Sequence, residues 1–315
     1  MENLTLDMDV LLVEGLRLPP SSTLAAFVLL LLVYLFILGS NLSLLLLILM
    51  ERSLRQPMYL LFCNMSLNDV FGASTIIPRI LQDLLTAPEQ RHVSYGLCVL
   101  QAFCAHWHAS TAHTVLMAMA FDRYVAIVNP LKYSVIMSGQ MVLCLSMAVW
   151  GVCFFMVLIL ILLSVRLSHC RSFVPNPFCD NPSLFKLSCE SYLVNNVYGL
   201  LYTVLLLGSS IISVVITYMR ITVVCLSSRS RTLNRRALQT CATHLASYII
   251  MQVFGNIIVA LHRFPTLSDH RKMVSILIHV VPPAINASIY GLQIRETVQD
   301  CKVTCAITPL QKYMQ

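Results

Sequence analysis

Of the 315 residues, 57% are hydrophobic and only 11% charged, whereas soluble domains carry roughly 25% charged residues. The mean hydropathy of +0.77 agrees with a membrane protein, and the formal charge of +7 sits largely in short loops between apolar stretches, which excludes nucleic acid as the partner it serves. In chain order, residues 1–22 carry Glu2, Asp7, Asp9 and Glu14 against Arg17 alone. With no basic, cleavable leader, this segment reads as a short translocated tail, and Asn3-Leu4-Thr5 is a glycosylation sequon within it. A helix needs about 20 mainly apolar residues to cross a bilayer. Seven stretches meet that need: 23–50, 58–85, 98–127, 140–163, 195–224, 233–262 and 273–292. The last is short, and Pro282-Pro283 is expected to interrupt it. Connections are short except for 164–194, and residues 293–315 form a closing tail. The expected architecture is one all-α, seven-transmembrane helix bundle over 23–292.

Basic residues set the expected orientation. With the N-terminus extracellular and the C-terminus cytoplasmic, 12 of the 21 Lys and Arg fall inside: Arg52, Arg55, Arg123, Lys132, Arg220, Arg229, Arg231, Arg235, Arg236, Arg295, Lys302 and Lys312. Of the acids, only Glu51, Asp122, Glu296 and Asp300 join them. That imbalance is the positive-inside pattern. Of the twelve cysteines, Cys98, Cys170, Cys179 and Cys189 then face the oxidising side. Four cysteines permit three pairings, which residue types alone leave open. Cys63, Cys104, Cys144, Cys153, Cys225 and Cys241 read as small apolar packing groups. No Cys-x-x-Cys pair argues for a metal, and no cofactor is expected. Cys301 and Cys305 lie past the last span, where palmitoylation and free thiols are both open.

Met119-Ala120-Phe121-Asp122-Arg123-Tyr124-Val125-Ala126-Ile127 closes the third span with an adjacent acid and base. Ionisable groups at a membrane boundary are expensive and mark function. Together with Pro130-Leu131-Lys132-Tyr133, the string resembles the third-helix signature of odorant receptors, a branch of the rhodopsin-like G-protein-coupled receptors. Further fragments follow in family order: Gly39-Ser40-Asn41, Pro57-Met58-Tyr59, Asn64-Met65-Ser66-Leu67 with Asp69, Arg236-Ala237, Thr240-Cys241, Thr243-His244-Leu245, Pro282-Pro283, Asn286 and Ile289-Tyr290. The resemblance implies disulfides Cys98–Cys179 and Cys170–Cys189. It also implies coupling to a heterotrimeric G protein of the stimulatory olfactory type through Asp122, Arg123, Tyr124, Arg235, Arg236, Thr240 and His244. A plasma-membrane address in olfactory cilia and contact with membrane lipids follow from the same source. Ala112 and Ala287 depart from the family pattern. The first removes an acid that usually neighbours Asp69, and the second removes a helix-seven proline, implying a softer kink.

Buried polar groups in hydrocarbon must satisfy one another. Asn41, Asp69, Asn286 and Tyr290 are therefore expected to meet at mid-membrane, as a polar clasp or as a switch network. For ligand contact, His106, Ser110 and His113 share one face of the third span, and Gln252, Asn256, Val259 and Arg263 share one face of the sixth. His279 on the seventh span and Tyr202 on the fifth complete the expected set. Trp107 and His108 are expected to pack. Arg263 stands in Leu261-His262-Arg263-Phe264, which with Phe121 and His106 resembles the class I, or fish-like, odorant receptors. In that branch the matching arginine and histidine hold polar odorants such as carboxylic acids. Guanidinium suits carboxylate through two parallel charge-assisted bonds; the plain alternative is an arginine snorkelling to the interface. The resulting expectation is an odorant receptor, with a non-olfactory chemosensory receptor as the alternative. A transporter would need a charged relay beyond Asp69, and an enzyme would need a nucleophile or metal motif; neither pattern is present in the sequence.

Overall fold

The computed structural model describes residues 9–51, 54, 56–227 and 231–312, giving the backbone alone for 231–240, 265 and 293–312. Asn3 and Arg229 lie outside the described residues. The chain begins with β1 (Val10–Val13), followed by α1 (Pro20–Met50) and α2 (Pro57–Leu85). After β2 (His92–Ser94) come α3 (Tyr95–Val128), the single turn α4 (Tyr133–Ile136) and α5 (Gly139–Val165). Then follow β3 (Phe173–Val174), α6 (Asn181–Phe185), α7 (Leu193–Ser227), α8 (Arg231–Leu261) and α9 (Ser268–Lys312). The seven spans are α1, α2, α3, α5, α7, α8 and α9.

Local chemistry sets the helix starts. Proline occupies the first helical turn of α1 and α2, where its missing N–H costs nothing. Ser94 and Ser138 cap α3 and α5, each accepting a backbone N–H three residues on. Pro130 pushes Asn129 out of the helical region and ends α3. Leucines on α1 (Leu24, Leu29, Leu32, Leu35) and apolar residues on α5 (Met147, Val152, Phe155) are exposed, which suits faces turned to lipid. Cys144, expected to pack, is exposed on α5.

One expectation about the spans is corrected. Pro282 and Pro283 do not interrupt the seventh span: α9 runs through both, and Ser268–Leu292 is long and apolar enough to cross a membrane. Bundles tolerate such prolines because neighbouring groups re-satisfy the freed backbone. The weak span is instead the third. Six helices are apolar enough alone, whereas α3 qualifies only together with Pro130–Ile136, bent 114° from it. Its inward positions carry Ser110, Thr111, His108, His113 and Asp122, all buried. That polarity reflects its central place, packed against α2, α5, α7 and α8.

Within the tail, residues 10–13 form the middle strand of a small sheet, ordered β2-β1-β3. β1 is antiparallel to β2 and parallel to β3, with Val10 opposite Ser94 and Leu12 opposite Phe173. Strand alternation turns Leu11 and Val13 into the core, where they pack with Cys98, Val174 and Cys179. Gly15, at φ +67°, makes the exit turn, and any Cβ there would lie 2.6 Å from the Arg91 guanidinium. Arg91 donates to the Glu14 carbonyl at 2.8 Å, while the Glu14 carboxylate pairs with the buried Lys272 of α9 at 2.9 Å.

Candidate functional site

A cavity of about 390 Å³ lies at the sheet end of the bundle, within the range of small-molecule sites. Its walls come from α3, α6, α7, α8, α9 and the connection between α5 and α7. The disulfide Cys98–Cys179 fastens that connection to the start of α3, and Cys170–Cys189 closes it on itself. Both pairings are those implied by the resemblance.

The residues after Cys179 lie over the cavity and are held from several sides. The Asn181 N–H donates to His106 Nε2 at 3.1 Å. The Asn181 side-chain carbonyl accepts from Ser164 at 2.6 Å, and Asn195 donates to the same Ser164 hydroxyl at 3.1 Å. Asp180 accepts from the Ser183 N–H at 2.8 Å and from Asn176 at 3.2 Å, and meets His262, just past the end of α8, at 3.3 Å. Burial alone would push the Asp180 carboxyl up, but His262, Ser183 and His106 outweigh it and hold the group well below the usual carboxylate range. Lys186 also lines the cavity, its ammonium pushed down by burial and by Arg271 and Arg263, with Asp180 opposing.

The structure brings His106, Ser110, Tyr202, Val259, Arg263 and His279 together in this one cavity. Ser110 and Tyr202 share a hydrogen bond between α3 and α7. Arg263 sits exposed at the mouth, reaching Asn196 at 3.4 Å. Asn256 does not join them. It is exposed and donates back to the Gln252 carbonyl at 2.7 Å. The inward stripe of α8 is Gly255, Ile258 and Val259, continued by His262 in the turn that follows, so the expected polar face is rotated from the true one by about one residue. Sequence reasoning missed Asp180, Lys186, Asn195 and His262. The adjacency of Asp180 to Cys179, and of His262 to Arg263, was the available signal.

At the opposite end, Asp122 is buried and pairs with Arg123, whose Nε donates at 2.9 Å, and it accepts from the Tyr133 hydroxyl at 2.8 Å. Tyr133 comes from α4, so the bend after Val128 is what delivers it. Asp122, Arg123, His244 and Tyr290 border one small internal space. His244 bonds the Tyr218 hydroxyl of α7, and Tyr124 packs beside Tyr218 and Ile221. The side chains of Arg235, Arg236 and Thr240 lie outside the described residues, as do those of Cys301 and Cys305. In mid-bundle, Asn286 donates to Asp69 at 3.1 Å. Asn41 is buried too but donates to Ile37 of its own helix at 3.0 Å, so it is not hydrogen-bonded into that pair. Tyr290 stacks on Phe62 with ring centroids 4.4 Å apart, and Ala112, which stands in place of an acid, is fully buried.

His106 and Arg123 stand seventeen residues apart on one helix, about 25 Å by helical rise. Any influence of the cavity on the charge cluster therefore passes through the helices, which is the construction of a heptahelical receptor. The family model described as olfactory receptor matches residues 30–307. Olfactory receptor 56A4 of Homo sapiens is 34% identical over 276 residues, covering 85% of this chain and 86% of its own. Olfactory receptor 1E16 of Mus musculus is 30% identical over 289 residues, covering 90% of each. The chain belongs to the olfactory receptor family of G-protein-coupled receptors: multi-pass membrane proteins that are not enzymes. Membership implies an odorant ligand and coupling to a G protein.

Proposed function

We propose that the sheet-end cavity binds a small polar odorant, foremost a carboxylic acid, and that binding drives a stimulatory olfactory G protein at the other end. The supporting observation is the charge arrangement at the cavity. Asp180 is the one acid among its described lining residues, and it is already engaged by His262, Ser183 and Asn176. Lys186 and Arg263 line the same space and have no second acid there to balance them. The cavity thus favours an anion. His106, Ser110, Tyr202, Val259 and His279 supply the remaining contacts. His106 reaches the ligand with Nε2 already committed to Asn181, so it assists Arg263 less directly than a facing partner would. The same residues, with Phe121, carry our placement of the chain in the fish-like branch.

Arg263→Ala is expected to weaken acid agonists by about 10- to 150-fold, the equivalent of roughly 1.5–3 kcal/mol for a charge-assisted bond. Neutral agonists should change far less at matched surface expression. Arg263→Lys should rescue only partly, since ammonium lacks the fork. Equal losses for acids and neutral odorants would instead favour the snorkelling role.

A ligand shifts the receptor only through tighter binding to the active arrangement. We assign Asp122, Arg123, Tyr124, Arg235, Arg236, Thr240 and His244 to the coupling face, and Asp69, Asn286 and Tyr290 to the switch between the ends. This reading places the sheet end outside the cell and the α7–α8 connection inside, in the plasma membrane of sensory cilia. Glycosidase sensitivity should accordingly vanish in Asn3→Gln. An epitope inserted at Ser228 should be reached by antibody only after permeabilisation; labelling of intact cells would reverse the topology.

A further inference from the structure

Four histidines line the cavity, and three of them have a ring nitrogen engaged. His106 accepts from the Asn181 N–H, His262 meets the Ile258 carbonyl and Asp180, and His279 meets the Ser275 carbonyl at 2.8 Å. His113 differs. Among the described residues neither of its ring nitrogens has a hydrogen-bond partner, although the side chain is 96% buried by its 4% exposure and Nδ1 is wholly enclosed. Unbonded buried polar groups are rare because each forfeits its hydration without return. Gly255 of α8 stands opposite: a Cβ there would lie 3.8 Å from His113 Nε2, and its absence leaves that edge of the ring open to the cavity.

Between His113 and the mouth, Leu206, Leu207, Ile258 and Val259 supply aliphatic wall, and the nearby hydroxyls of Ser110 and Tyr202 are bonded to each other. The cavity therefore has a cationic mouth, an apolar waist and an unsatisfied imidazole at its far end. From Gly255 to the end of α8 at Leu261 the rise is about 9 Å, and Arg263 lies two residues further on.

We infer that His113 is a subsite for a hydroxyl group, so that the preferred ligand is a medium-chain aliphatic acid with a hydroxyl at its far end. The carboxylate half of this inference rests on the acid reading above; the hydroxyl half stands on His113 and Gly255. A neutral imidazole offers one donor and one acceptor, and a hydroxyl can meet either one in either tautomer. A carbonyl can only accept, and an ammonium would arrive with a charge that nothing at this end of the cavity balances. A chain of roughly eight to ten carbons spans the distance from guanidinium to imidazole.

The test compares 8-hydroxyoctanoic acid with octanoic acid in a cAMP assay at matched surface expression. On the unmodified receptor the hydroxy acid should be about 3- to 10-fold more potent, the worth of one net hydrogen bond. In His113→Leu the two acids should become equal, while His113→Gln should keep part of the preference. Arg263→Ala should weaken both acids and leave their ratio intact. Gly255→Val, which covers Nε2 without altering the histidine, should also abolish the ratio, and it serves if His113→Leu does not reach the surface. If neither acid activates, the acid reading fails, and the ratio is read between 1,8-octanediol and 1-octanol. A His113-dependent preference for the diol then upholds the subsite. A hydroxyl preference that survives in both His113→Leu and Gly255→Val overturns it, as does the lack of any preference in the unmodified receptor.

Discussion

Serine in place of Cys98 or Cys179 is expected to remove most of the receptor from the cell surface, whereas serine at Cys170 or Cys189 should leave a reduced but readily measured fraction. The first bridge spans 81 residues and the second 19. On loop-closure entropy alone these correspond to about 4–5 and about 3 kcal/mol. Membrane insertion already restrains the chain, so both values are upper figures and their order is the useful content. Position adds to the difference. Cys98 and Cys179 are fully buried beside Leu11, Val13 and Val174, while Cys170 and Cys189 are exposed. Losing the buried bridge releases the residues that hold His106, Ser164 and His262 in register. Surface labelling relative to total protein reads the effect, and non-reducing peptide mapping checks the pairs. Equal losses from all four substitutions would show that loop anchoring is not the cause.

Arg123→Ala is expected to abolish ligand-driven cAMP production while ligand binding persists. Arg123 lies beside the buried Asp122, which also accepts from Tyr133. It borders the same small space as His244 and Tyr290, both buried. The substitution removes the cation of that cluster and leaves the cavity untouched, since His113, the cavity residue of α3 nearest to it, lies ten residues or about 15 Å away. Retained binding is measured as the ligand-induced rise in unfolding temperature of purified receptor, since any ligand that binds only the folded state stabilises it. Normal signalling from a variant at the surface would remove Arg123 from the coupling role. Loss of both signalling and thermal stabilisation would show that the cluster supports the whole bundle.

Helix positions were legible in the sequence because hydrocarbon imposes a length and a composition that few other constraints imitate. Boundaries differ from the structure by a few residues at α3 and α7 and most at α9, which continues to Lys312, past the expected end at 292. The proline pair of α9 misled because its penalty was judged for an isolated helix rather than for one held in a bundle. Most of the cavity set was legible as well, since His106 and Ser110 follow directly from helical spacing on α3. Asn256 failed for the same reason that spacing works. A stripe of four positions fixes a face only to within one residue, and a single polar side chain turned toward lipid can bond its own helix. Asp180 and His262 were out of reach of periodicity, because their meeting depends on a loop folding back beneath a disulfide. The short sheet was equally hidden, its three strands being separated by about 80 residues at each extreme and none long enough to show a period.

That sheet limits how the receptor can be handled. Because β1 is the middle strand, trimming the chain to residue 15 would unpair β2 and β3 at once, since neither touches the other. It would also vacate the pockets of Leu11 and Val13 next to the Cys98–Cys179 bridge, and leave buried Lys272 with only the solvent-exposed Asp269 as its counterion. An N-terminal exchange between family members therefore transplants a structural part rather than an address label. Expression tags and fluorescent fusions belong ahead of residue 9, and a chimera that keeps β2 and β3 should keep its own residues 10–17 with them.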